Sequence, residues 1–395
     1  MDDIRVITDK LLNYCLTHNW SGHDPYDALN SGIFKHLGVM NSRVPRLALT
    51  QLMKNSPIDF RRLLLVPKTQ NPKALALFMM ALIKLSALGM LKEEERIGEL
   101  AERLRILRTE DSGHGGWGYS FPWQTRTKIV PRGAPNLICT IFAANALLDA
   151  HERHPDPSGL ALALDGAEWI INHLYWTHGD SSAGFSYPLP SIREQIHNAN
   201  FLGAAFLCRI YRLIREKRYL DPALRVARTS ASKQNADGSW FYGESPKTHW
   251  IDNFHTGYNL AGLRDIQKYA ETAEFESHIR KGFAFFKSRF FREDGVVQYY
   301  HDRVFPIDIH CIAQSLITLM TFRDLDGDNP RLALRVLRWT IAHMWNERGY
   351  FYYQVHQWYM NRISYMRWSQ AWMLIALATV LEGMPLEDGM KEGAA

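Results

Sequence analysis

On the helix predicted to open at Ile251, Asp252, His255, Thr256 and Asn259 follow i, i+3, i+4 and i+7 and share one face, with Tyr258 at its edge. A carboxylate, an imidazole and a phenol gathered at one cavity mouth can take up and deliver a proton. In epimerase or lyase chemistry a base removes the acidic C5 proton of a uronate while a cation or amide neutralises the charge developing on its carboxylate. The plainer reading makes His255 a core histidine held by Asp252.

A second group lies around Asp308, His310 and Gln314. His310 and Gln314 are i, i+4 on a helix whose other residues are apolar, and Asp308, just after Pro306, also suits a helix N-cap. Asp252 and Asp308 on adjacent helices are the alternative pair for glycoside hydrolysis, which needs two carboxylates across the scissile bond. His255, His301, His310 and Asp308 suggest a metal site only weakly, because H-x-x-x-H, H-E-x-x-H and paired cysteines are absent; no metal and no cofactor are expected. Arg367 and Gln370, i, i+3 beside Tyr365, Trp368 and Trp372, place a guanidinium where it can clamp a carboxylate or phosphate, or else pair with Asp252 or Asp308 to seal the fold. Trp240, Tyr242, Tyr299, Tyr300, Tyr352 and Tyr365 offer flat faces for sugar rings, and Asn198, Asn200 and Gln370 offer amides for hydroxyls. Trp117 and Trp240, as repeat-type aromatics, fit better a structural role, wedging loops between helices, which leaves the tyrosines as the better ligands.

These residues need elements that bring them together, and an internal repeat supplies them. Glycine-aromatic turns recur at Gly115–Tyr119, Ala183–Tyr187, Asp237–Tyr242, Asp294–Tyr300 and Arg348–Tyr353, each followed by a polar start and an apolar helix. Those helices begin near Asn71, Asn136, Asn198, Asn253, Asp308 and Tyr365, at spacings of 65, 62, 55, 55 and 57 residues. The stretches 74–88, 137–148, 201–213, 312–322 and 371–381 are apolar nearly all round, as helices buried on two sides must be. Amphipathic stretches at 222–232, 275–290 and 330–345 predict outer helices. Strand-helix alternation is missing, so the expected fold is an all-α (α/α)6 toroid with short β-like aromatic loops at one mouth.

The 395 residues are assigned to a single toroid domain, with 1–50 as an N-terminal extension packing on the ring and 383–395 as a disordered tail. Within the extension, the polar and aromatic segment 20–31 is expected to fold over the cavity. The chain is 46% hydrophobic and 22% charged, which excludes disorder and coiled coil. Lys+Arg 46 against Asp+Glu 41 leaves +5, without the dense basic tracts of a nucleic-acid binder. The four cysteines are widely spaced, no apolar stretch reaches membrane-spanning length, and no signal peptide is apparent, so a reduced cytoplasmic setting is expected.

The segment Gln234-Asn235-Ala236-Asp237-Gly238-Ser239-Trp240 resembles the Q-x-x-x-G-x-W repeat of squalene-hopene and terpene cyclase toroids. Three longer motifs, Trp250–Tyr258, Pro306–Gln314 and Tyr365–Trp372, with Asp24-Pro25-Tyr26-Asp27 and Asn71-Pro72-Lys73-Ala74, resemble a bacterial toroid family often encoded among surface-polysaccharide biosynthesis genes. The resemblance spans nearly the whole chain and implies fold and setting, while similar toroids include polysaccharide lyases, uronyl epimerases, glycoside hydrolases and sugar 2-epimerases. Cyclase chemistry is disfavoured, because D-x-D-D is absent and Asp324-Leu325-Asp326-Gly327-Asp328 reads as a solvated turn.

The expectation is therefore an enzyme acting on an acidic oligosaccharide, polysaccharide or lipid-linked glycan by proton transfer at a sugar carbon. His255 and Tyr258 would be base and acid, Asp252 would orient His255, Arg367 would bind the anion, and Asp308, His310 and Gln370 would complete the pocket. Glycoside hydrolysis and non-catalytic glycan binding are the alternatives.

Overall fold

The computed structural model describes residues 2–34, 37–111, 113–125, 127–179 and 182–384. The tail expected from 383 onward lies outside the described residues after 384.

Six inner helices form a ring: α3 (Pro72–Ala87), α5 (Leu137–Arg153), α7 (His197–Ile214), α9 (Asn253–Ala270), α11 (Ile309–Thr321) and α13 (Trp372–Gly383), the last entered through a π-turn over Met366–Ala371. Each packs on the next, and α13 packs on α3 to close the circle. The outer helices α4 (Glu95–Ile106), α6 (Pro157–Trp169), α8 (Lys217–Ala231), α10 (Glu276–Phe290) and α12 (Asn329–Met344) each lie against the inner helix that precedes them. Helix α1 (Asp2–Thr17) packs on α13, and α2 (Arg43–Asn55) packs on the turn Asp27–Asn30.

Local chemistry sets the inner helix starts. The side chains of Asn71, Asn136, Asp252 and Asp308 each accept a backbone N–H of the following turn, satisfying donors the helix leaves open, and Pro72 begins α3 with its φ already set. The core runs continuously around the ring, with Leu75, Phe78, Phe201, Phe206, Leu260, Ile312 and Leu374 among its fully buried members.

The repeat turns connect each unit to its neighbour. Gly238, Gly295 and Gly349 all adopt φ +93°, and a Cβ at these positions would meet the backbone carbonyl of Lys281 on α10, Arg335 on α12 and Lys10 on α1. Thus α1 takes the place in the sixth unit that α10 and α12 take in theirs. Inner-helix side chains then anchor the turns: Trp117 N–H donates to Thr140 Oγ1, Phe185 N–H to Asn200 Oδ1, and Phe351 N–H to Gln370 Oε1. Among the described residues the β structure is slight: short antiparallel pairs such as Tyr175–His178 with Ser182–Phe185, one three-stranded sheet of Ile307–Asp308, Gln354–Val355 and Met360–Asn361, and isolated bridges.

Gly238→Ala tests this docking. It should lower stability by about 3 kcal/mol, from backbone strain plus the clash with Lys281 O, whereas Gly327→Ala, with open space around it, should stay within about 0.5 kcal/mol. Thermal or denaturant midpoints of the two variants make the comparison.

Candidate functional site

The first two turns of α3, α5, α9, α11 and α13 meet near the ring axis through Lys73, Phe142, Tyr258, His310 and Trp372, and α7 starts beside them, its His197 N–H donating to Tyr242 O. On α9, Asp252 is the N-cap: its Oδ1 accepts the His255 N–H, and its Oδ2 accepts the Trp250 indole N–H and, at 2.7 Å, His255 Nδ1. This carboxylate fixes the imidazole through Nδ1. Nε2 is left for a ligand on a side chain 19% exposed, while the Tyr242 ring lies 4.5 Å from the imidazole.

The second imidazole, His310 on α11, lies between Phe254 and Trp372, with ring centroids 4.7 and 4.5 Å away. Its Nε2 shares a 2.7 Å hydrogen bond with Tyr258 Oη from α9, and its Nδ1 is buried without a partner among the described residues. Burial, reinforced by the nearby Lys73 and Arg367, holds His310 neutral, well below the usual histidine range; burial also pushes the Tyr258 phenol well above its own. Phe254 touches both imidazoles. The two hydrogen-bonded pairs are therefore neighbours, with His255 and Tyr258 ring centroids 6.1 Å apart.

Asp308 is the N-cap of α11, accepting the His310 N–H, and its oxygens also accept the Trp368 indole N–H and the Gln354 amide. Burial still raises its pKa to about 6. Like Asp252 it is a buried helix cap whose two oxygens both accept hydrogen bonds.

The pairing considered for Arg367 with Asp252 or Asp308 is not the one formed. Its Nε and Nη2 donate to the two oxygens of Asp24 at 2.6 and 2.8 Å, an ion pair buried on both sides. Asp24 belongs to the segment that crosses the mouth, where Gly22 bridges to Thr69, His23 to Tyr365, and Tyr26 packs on Trp368. A second buried pair, Arg61 with Asp27 at 2.7 Å, fastens the same segment. The bidentate fork is thus filled from within the chain.

Of the expected sugar-contacting residues, Tyr242, Tyr299 and Tyr300 stand half-buried beside the α9 start: Tyr242 stacks on Trp250, Tyr299 packs on Phe254, and Tyr300 bridges to Asp252 through its backbone. Asn198 is buried on the first turn of α7, with Oδ1 unpartnered among the described residues. The others serve the fold. Trp240 is buried with its indole N–H on Ser230 O, and Asn200 and Gln370 hold turn backbones. Tyr365 is buried under the Arg61 guanidinium, and Tyr352 accepts from Asn346. His301 sits near the Ile251 carbonyl, and no group of three His, Cys, Asp or Glu side chains able to hold a metal occurs among the described residues.

Lys73, in the first turn of α3, is the residue that sequence reasoning passed over. Its Nζ lies 4.3 Å from the ring of Phe142 on α5, 5.1 Å from Trp372 on α13 and 5.6 Å from Tyr258 on α9. Only a position near the ring axis reaches all three helices. Burial, with the Arg367 cation nearby, lowers its pKa to about 7.

No protein-family model matches the chain, and no curated protein matches it in sequence. Solved structures are similar in shape. Cellobiose 2-epimerase from Bacillus thermoamylovorans superposes with a TM-score of 0.62 at 9% identity, covering 80% of this chain and 89% of its own. A possible GH105 family member from Salmonella enterica gives 0.61 at 13% identity, covering 96% and 94%, and the GH76 α-mannanase of Bacteroides thetaiotaomicron gives 0.58 at 13%, covering 78% and 85%. At such identities the likeness establishes the fold: the chain is an (α/α)6 toroid.

The Asp24–Arg367 pair is open to a direct test. Asp24→Asn leaves a buried guanidinium without its counter-charge and should cost about 3–5 kcal/mol of stability, while the double variant Asp24→Asn, Arg367→Met should recover most of it. Denaturant midpoints of the single and double variants measure the coupling.

Proposed function

We propose that this toroid is a carbohydrate-active enzyme that moves a proton at a sugar carbon, by epimerisation or β-elimination, on an acidic glycan. The observation that carries this reading is the Asp252–His255 pair, its imidazole 19% exposed, with the Tyr258–His310 pair beside it and Phe254 against both imidazoles. His255, oriented by Asp252, acts as base or acid through Nε2, and Tyr258, backed by neutral His310, acts as its counterpart. An epimerase, glycoside hydrolases and a polysaccharide lyase share the fold, which supports a sugar substrate.

Hydrolysis through Asp252 and Asp308 is the weaker alternative, because both carboxylates are buried helix caps with their oxygens occupied. The proposed setting is surface-polysaccharide assembly in the cytoplasm, with a polysaccharide or lipid-linked glycan as partner, on the strength of the sequence motifs. No helix among the described residues is long and apolar enough to cross a membrane.

Incubation with oligosaccharides containing 4-linked uronate in deuterated water tests the reaction. Deuterium at a ring carbon or a new unsaturated end is expected; a new reducing end without unsaturation, or no product, contradicts the proposal. His255→Asn should slow turnover by about 10²–10⁴-fold while leaving affinity largely intact.

A further inference from the structure

Proton abstraction beside a carboxylate needs a positive group where the negative charge accumulates, and a guanidinium already held by Asp24 is poorly placed to supply it. We infer that Lys73 is the anion-binding residue of this site, an ammonium on the ring axis that holds the carboxylate of a uronic acid sugar.

Three observations carry the inference. The Nζ of Lys73 stands among aromatic faces from three other inner helices, and no hydrogen bond or ion pair to it from a carboxylate occurs among the described residues. Aromatic faces stabilise a cation without neutralising it, so the charge remains available to a ligand. The groups around it are also neutral or already paired. Asp24 balances Arg367; Cys139 on α5, pushed up to about 11 by burial, is an uncharged thiol; Tyr258 on α9 and Tyr119 in the turn before α5 are held as phenols, and His310 on α11 as neutral imidazole. Asp252 and Asp308 are engaged as the caps of α9 and α11, so protonated Lys73 has no carboxylate of its own among the described residues, and the N-terminal ends of the inner helices add positive potential around it.

A sugar carboxylate would supply the missing negative charge. In the proton-transfer reading, on which only this step rests, C5–H passes its proton to the base, the electron pair moves onto the carboxylate beside the ammonium, and reprotonation at C5 returns it. A half-titrated lysine gives the site a pH signature: it is charged below about 7 and neutral above, and a bound carboxylate raises that midpoint.

The test uses the full chain and two uncomplicated probes, methyl β-D-glucuronide and its uncharged counterpart methyl β-D-glucoside, with affinities measured by calorimetry. Wild type at pH 6 should prefer the glucuronide by roughly tenfold or more. That preference should vanish at pH 9 and in Lys73→Met, and persist in Lys73→Arg. Equal affinity for the two probes in wild type at pH 6, or an undiminished preference in Lys73→Met, overturns the inference. Should Lys73→Met fail to fold, the Lys73 Cε resonance of wild type decides: its titration midpoint must rise when glucuronide is added, and an unmoved midpoint overturns the assignment. Deuterium exchange separates the two ideas, since glucuronide preference without exchange removes only the proton-transfer reading, and exchange without a Lys73-dependent preference removes only this one.

Discussion

The convergence of six helix N-termini on one mouth is the constraint from which the site follows. Every such terminus leaves backbone N–H groups without partners, and the inner helices here meet that need with Asn71, Asn136, Asp252 and Asp308. The acids near the axis are consequently acceptors for backbone and indole donors before they are anything else. Asp252 does both jobs, because one of its oxygens caps α9 while the other fixes His255. The same convergence directs the positive ends of the helix dipoles into the pocket, so the mouth is biased toward negative ligands even where its carboxylates are plentiful.

That bias has to be contained, and the segment across the mouth does so. Asp24 neutralises Arg367 and Asp27 neutralises Arg61, two ion pairs that join residues hundreds and tens of positions apart and whose charges are removed from water together. Breaking either pair by removing one partner strands a buried charge, so the segment is held in place by the penalty for leaving as much as by attraction. Lys73 escapes this arrangement. Its Nζ stands among rings, with no carboxylate hydrogen-bonded to it among the described residues, and in the proposed reading it is the cation that meets the ligand.

Much of the ring was legible in the sequence, because an inner helix must be apolar nearly all round and the turns before it repeat glycine and aromatic residues at near-constant spacing. The inner helices begin within a few residues of Asn71, Asn136, Asn198, Asn253, Asp308 and Tyr365, and the i, i+3 relation of Asp252 to His255 survives as a real hydrogen bond. What escaped depends on contacts without a local pattern. The partner of Arg367 lies 343 residues away, and the pairing of α1 with α13 appears only once the ring closes. Lys73 looks like an ordinary polar residue in a first turn; its meaning comes from Tyr258 and Trp372, which reach it from α9 and α13. Asn200 and Gln370, amides on inner helices that suit a sugar hydroxyl, are each used by the turn of their own unit.

The central claim is that the ring axis gathers an imidazole fixed by a carboxylate and a cation free of one, so that an acidic sugar can sit between them. A crystal structure of the protein with methyl β-D-glucuronide bound tests it most directly. The account predicts the carboxylate within hydrogen-bonding distance of Lys73 Nζ and the sugar ring beside His255 Nε2. A glucuronide found instead in the outer cleft between Tyr14 and Tyr350, with the axis empty, would contradict it.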